Sequence, residues 1–224
     1  MLATSLLLLS TLTGAAPFST TAWTTYDATF ANIVSAHFDA AQACWKQKRI
    51  PSAGLMRNET LGIIEAQQRF WPGKEEYRLR LLAFMLSEGG GLPDGNPEDP
   101  SFGVLCVYYD SGRYACWFWG IPAPRGRQEF IDRLKSDSRF NILVGAAELA
   151  HKEWQSGGDW MRAVCQVKYG SRRFGAIQEA LKDRPITELP PARHYLSVLQ
   201  WVRCLANHIE NGILLKDCAC LPPS

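Results

Sequence analysis

Glu88 closes a stretch in which Tyr77, Leu81 and Phe84 recur at helical spacing, so the acid continues a stripe that otherwise points into a core. Gly89, Gly90 and Gly91 follow it directly. Glycines there end the helix and leave room for a substrate to approach closely. Burial disfavours a carboxylate anion, and so does the negative end of a helix dipole. The chemistry expected of such a group is proton donation. The plainer alternative is a C-terminal Glu that swings into solvent.

The elements that position this acid read mainly as helices. Pro72-Gly73 separates the Glu88 helix from a shorter predicted helix at Glu59 to Phe70. Upstream, Tyr26 to Trp45 carries Phe30, Ile33, Val34, His37, Phe38, Ala41 and Trp45 on one face. His37 there reads as a core-edge histidine. Downstream, Gly91 to Pro100 is a loop rich in Gly, Pro, Asp and Asn. Further helices are predicted at Gln128 to Lys135, Asn141 to Gln155, Asp159 to Lys168, Phe174 to Asp183 and Ala192 to Glu210. Between the aromatic-rich runs around Cys106 and Cys116, Asp110-Ser111-Gly112 is a turn signal, which predicts a hairpin there and suggests a bridge between the two cysteines. The expected fold class is mainly α, strictly α+β with one small hairpin.

Composition narrows the partners. At 224 residues, with 46% hydrophobic and 21% charged residues, the chain can bury a full core and has no disordered signature. A formal charge of +2, with no basic stripe interleaved with aromatics, argues against nucleic acid as a partner. Residues 1–16, with an apolar run from Leu6 to Leu9 and then Thr13-Gly14-Ala15-Ala16, resemble an export leader, although no Lys or Arg precedes the run. The expected location is therefore periplasmic, cell-envelope or extracellular. Seven cysteines in an exported chain suggest disulfides with one thiol left over. Cys204, His208, Cys218 and Cys220 could instead bind zinc, but their spacing matches no common structural site, and no metal or cofactor is expected. There is no phosphate-cradling loop, dinucleotide fingerprint, paired-histidine zinc helix or nucleophile elbow.

From Tyr77 to Arg203 the order of short segments resembles the lytic transglycosylases of the lysozyme-like superfamily, the soluble type that cleaves bacterial peptidoglycan. Ser87-Glu88-Gly89 is similar to the helix end that carries the family's catalytic Glu, with Gly in place of the following Ser. Gly103-Val104-Leu105-Cys106-Val107 resembles its Gly-Leu-Met-Gln-Ile segment, with Cys106 in place of a substrate-contacting Gln. Asn141, Ile142, Gly145 and Leu149 match its Asn-Ile helix, and Lys168-Tyr169-Gly170-Ser171 resembles Ala-Tyr-Asn-Ala-Gly with Gly170 where Asn stands. Pro190-Pro191-Ala192-Arg193-His194-Tyr195 is similar to the approach to the closing helix.

The resemblance implies a lysozyme-like fold. With the leader at 1–16, a helical N-terminal region at 17–72 and a cysteine-containing tail at 213–224 read from the residues themselves, the resemblance places the catalytic domain at 73–212. It also implies that Glu88 protonates the glycosidic oxygen and then acts as base, while the muramic acid's own hydroxyl closes a 1,6-anhydro ring. Tyr169 would bond near Glu88 or the substrate, or else pack against the following Phe174 helix. Ser101, Gly103, Val104, Cys106, Asn141, Gly170 and Tyr195 would line the substrate cleft. Tyr108, Tyr109, Tyr114, Trp117, Phe118 and Trp119 would add aromatic surface that either stacks on sugars or belongs to the core.

Two alternatives stay open. Asp94, Glu98 or Asp99 could hold a water, as the resemblance to goose-type lysozymes would have it, giving a hydrolase. The substitutions at Cys106 and Gly170 would instead suit a degenerate glycan-binding or assembly protein. The implied partner is a peptidoglycan strand met by a monomer. The helical prefix would cover the back of the catalytic domain or dock on a secretion apparatus or phage particle.

Overall fold

The computed structural model of the chain describes residues 30–36, 53–89, 100–180 and 185–211. The leader, most of the Tyr26 to Trp45 helix including His37, the loop with Asp94, Glu98 and Asp99, and the cysteines of the tail lie outside the described residues. Within them the fold is mainly helical with one small two-stranded hairpin, as expected. Residues 30–36 are helical. The order continues as α1 (Ala53–Phe70), α2 (Glu76–Gly89), β1 (Ser101–Phe102), β2 (Val107–Tyr108), α3 (Tyr109–Trp119), α4 (Arg127–Ser136), α5 (Ser138–Gln155), α6 (Trp160–Tyr169), α7 (Ser171–Ala180), a 3₁₀ turn (Ile186–Glu188) and α8 (Pro190–Asn211).

Helix α5 is the axis of the molecule. Asp137 caps it by accepting a hydrogen bond from Phe140 N at 2.9 Å, which satisfies an orphan donor of the first turn. The apolar run that follows is buried on nearly every side, because α1, α3, α4 and α6 all pack on it. α2 packs chiefly on α8. One continuous core joins Phe30, Ile33 and Val34 to Ile63 of α1, Leu81 and Phe84 of α2, Ile142 and Leu149 of α5 and Trp201 of α8. The segment preceding Trp71 thus shares the core of the helices that follow it.

The start of α2 is fastened before its end reaches the site. Trp71 Nε1 and the Tyr77 hydroxyl both donate to the buried Glu153 carboxylate of α5, at 2.6 and 2.5 Å. Tyr77 stacks on Trp71 with ring centroids 4.8 Å apart, and Trp160 meets both rings edge-on. Two donors meeting one buried acceptor hold it from both sides, so this clamp sets where α2 begins. The expected stripe of Tyr77, Leu81 and Phe84 is buried.

The hairpin lies elsewhere than the turn signal placed it. β1 and β2 pair antiparallel, Ser101 with Tyr108 and Phe102 with Val107, around the 103–106 turn, while Asp110, Ser111 and Gly112 belong to α3. Gly112 serves a close approach: a Cβ there would meet Val107 Cγ1 at 2.7 Å and Val144 Cγ1 at 3.1 Å. A glycine inside a helix leaves the same sequence trace as one in a turn, and packing decided between them. The suggested bridge is corrected with it. Cys106 and Cys116 are both buried and not bridged to each other, the first in the turn and the second on α3, and burial pushes Cys116 up to about 11. Cys204 of α8 is disulfide-bonded.

Candidate active site

Glu88 stands one residue before the end of α2, and its side chain is sheltered at 17% exposure. It is not alone. Lys168 of α6, 11% exposed, brings Nζ to 2.5 Å from Glu88 Oε1 and also donates to the Ser87 carbonyl at 3.2 Å. The same ammonium stands over the Phe84 ring, 5.4 Å from its centroid. Lys168 therefore answers two needs of the helix end, a charge partner for the acid and a donor for a carbonyl that the helix leaves unbonded.

A second acid joins the cluster from the axial helix. Glu148 of α5 accepts a hydrogen bond from Ser111 Oγ of α3 at 2.9 Å. Its carboxyl is held above the ordinary carboxylate range, chiefly by burial and further by the charge of Glu88, against the opposing pull of Ser111 and Lys152. His194 of α8 completes the group. Burial and the Lys168 charge push its imidazole below the ordinary histidine range, with Glu88 and the Ser87 backbone acting the other way. At neutral pH that ring is uncharged. Glu88 of α2 and Lys168 of α6 thus meet directly, and the Glu88 charge reaches Glu148 of α5 and His194 of α8.

The residues expected to line a cleft do other work. Asn141 is fully buried, accepting from Leu105 N at 2.8 Å and donating to the Phe102 carbonyl at 2.7 Å, so it ties the hairpin to α5. Gly103 adopts φ +73°, and a Cβ there would overlap Asn141 Nδ2 and the Leu134 carbonyl. Ser101, Val104 and Cys106 are buried in or beside the same hairpin, and Cys106 takes a φ of +48°. Tyr195 is fully buried, its hydroxyl accepting from Trp160 Nε1 at 2.7 Å and facing the Arg80 carbonyl at 3.4 Å. Gly170 is an exposed cap at the end of α6. These seven build and close the scaffold, and none of them is brought to Glu88 by a described contact.

Tyr169 likewise packs to one side, against the small cluster of Cys165, Phe174, Leu189 and Ala192, with the Arg173 guanidinium over its ring at 5.5 Å. On α6 the residue turned to Glu88 is Lys168, and on α8 it is His194 instead of Tyr195. Consecutive helical residues point about 100° apart, so a one-residue difference exchanges a site group for a core group. The sequence did hold a signal for Glu148. It is the one charge in the run from Ile142 to Ala150, the same anomaly that marked Glu88.

Among the described residues no group of three or more potential ligands is placed to hold a metal ion, and no helix is long and apolar enough to cross a membrane. A depression on α8 lined by Leu196, Leu199, Gln200 and Arg203 contains none of the clustered groups. No protein-family model, curated protein or solved structure matches the chain.

Proposed function

We propose that the chain cleaves the glycan strand of peptidoglycan between its amino sugars, as a lytic transglycosylase does, with Glu88 at the reacting centre. The observation that carries this is the carboxyl pair. Glu88 is paired with Lys168 at 2.5 Å, while Glu148, within reach of the Glu88 charge, is biased toward its protonated form. Paired acids in contrasting environments are the equipment of glycosidic bond cleavage, which needs a proton on the leaving oxygen and negative charge near the cationic sugar carbon. Sugar departure transfers one proton from the carboxyl pair to the leaving oxygen. The muramyl 6-hydroxyl then bonds to the sugar carbon and returns its proton to the pair, so the products carry a 1,6-anhydro end and no water is consumed. Lys168 holds the Glu88 carboxylate in place, and the uncharged His194 ring lies within reach of its charge.

Glu148 also favours a second outcome. Two carboxyl groups on opposite sides of a bond are what direct hydrolysis uses, with water in place of the internal hydroxyl. Mass analysis of fragments released from purified sacculi separates the two, since anhydro ends mark the lyase and reducing ends the hydrolase. Glu88→Gln should lower release at least roughly 10²-fold while the circular dichroism and melting temperature of the protein persist. Unchanged release by that variant would remove the enzyme proposal. A strand of this kind is met outside the cytoplasm, and the apolar run from Leu6 to Leu9 and the bonded Cys204 support such a location.

A further inference from the structure

Helices α3 and α5 lie side by side, and their facing residues form levels that lead away from the carboxyl pair. Ser111 and Glu148 make the first level, joined at 2.9 Å. One turn on, the Tyr114 ring meets His151 edge-on at 5.2 Å. At the next turn Phe118 lies 4.4 Å from His151 and 6.0 Å from Trp154. Trp117 extends the surface beside Tyr114, their centroids 5.7 Å apart. With a rise of 1.5 Å per residue, the track from Ser111 to Phe118 runs about 10 Å, roughly the length of two sugar rings.

These rings are not core. Trp117 is 76% and Trp154 67% exposed, and Tyr114 and Phe118 are exposed beside them. A contiguous patch of this kind on a soluble surface marks a binding site. Its floor carries an independent sign of a missing partner. His151 is 4% exposed, yet its Nδ1 has no hydrogen-bond partner, and burial, reinforced by Lys152, keeps the ring in its neutral form. An unsatisfied polar atom so deeply placed is costly unless something binds it.

We infer that the α3–α5 face is a carbohydrate-stacking track, in which Tyr114, Trp117, Phe118 and Trp154 receive the faces of successive sugar rings and His151 Nδ1 bonds a hydroxyl or acetamido group. A pyranose ring has apolar C–H faces and a hydroxyl rim. It matches flat rings set around a buried polar atom better than a lipid chain does, since a hydroxyl rim can bond His151 Nδ1 and an acyl chain would leave it unsatisfied. The track also begins at Ser111 and Glu148, so a strand lying on it would continue into the carboxyl pair. The inference rests on the proposed glycan cleavage and specifies how that substrate is held.

The test uses the full chain carrying Glu88→Gln, so that bound polymer survives, with and without Trp117→Ala and Trp154→Ala together. Co-sedimentation with purified sacculi and titration with a soluble N-acetylglucosamine oligomer are expected to show binding weakened tenfold or more by the tryptophan changes. His151→Ala should weaken it with the exposed rings in place. Phosphatidylcholine–phosphatidylglycerol vesicles should not bind either form. Equal sacculus binding with and without the tryptophans, absence of binding by any form, or vesicle binding lost with the tryptophans would each overturn the track. If the unmutated chain releases no fragments yet the tryptophan changes abolish binding, the cleavage proposal falls and the track stands. If fragments are released and binding ignores the tryptophans, the reverse holds.

Discussion

Glu88 and Glu148 are the same residue type in unlike surroundings, and their partners divide the labour. Lys168 supplies charge to one, and Ser111 a single hydrogen bond to the other. A carboxyl whose native pKa is raised stays protonated until the pH passes that raised value. If Glu148 delivers the proton, activity should persist above the ordinary carboxylate range and fall as pH rises through its own value. Glu148→Gln should then lose activity at every pH, and a pH–rate profile checks both statements. Lys168→Met leaves a sheltered Glu88 without its partner and should cost about 3 kcal/mol of stability, much of it recovered when Glu88→Gln is added. Denaturant melts of the two single variants and the double variant measure that coupling.

The element that positions most is the shortest one. The β1–β2 hairpin pairs only two residues on each side, yet Asn141 holds it to α5 through two hydrogen bonds, and Gly112 gives Val107 a place against α3. Its location fixes α3, which carries Ser111 and the aromatic track. Gly103→Ala combines a positive φ with an overlap on Asn141, and Asn141→Ala leaves the Leu105 amide and the Phe102 carbonyl without their partner. Each is expected to lose about 2–4 kcal/mol in urea melts. A loss under 0.5 kcal/mol for either would mean that the hairpin is not held this way. Periodicity along the chain marks α5, whereas the strands fall outside the predicted hairpin and α3 occupies its place. An amphipathic helix repeats its pattern over many residues, whereas a two-residue strand offers no period to detect, so the Gly112 in α3 passed for a turn.

At the scale of the whole molecule one buried group sets a pH dependence. Glu59 of α1 is fully buried with neither carboxyl oxygen hydrogen-bonded, and burial pushes it up to about 8. Below pH 4.5 the group is protonated in both native and unfolded chains and costs nothing through linkage. Between 4.5 and about 8 the unfolded chain ionises while the native one keeps its proton, so stability falls as pH rises. The slope is about 1.4 kcal/mol per pH unit across that window. Glu59→Gln should flatten it, making the variant's advantage larger at pH 8 than at pH 5 in thermal or urea melts. Parallel curves for the two proteins would show that Glu59 reaches water.

The sequence by itself determined that the chain is helical, where α2 and most of α5 run, and that the acid at 88 extends a buried stripe. Those properties depend on backbone propensity and a 3.6-residue period, both of which are written along the chain. Only the tertiary structure decided that Lys168 and His194 turn to Glu88 while their neighbouring tyrosines pack away, that Glu148 joins them, and that Cys106 and Cys116 stay apart. Those outcomes turn on how helices far apart in the chain are rotated against one another. A rotation of one residue changes every contact without altering any local pattern.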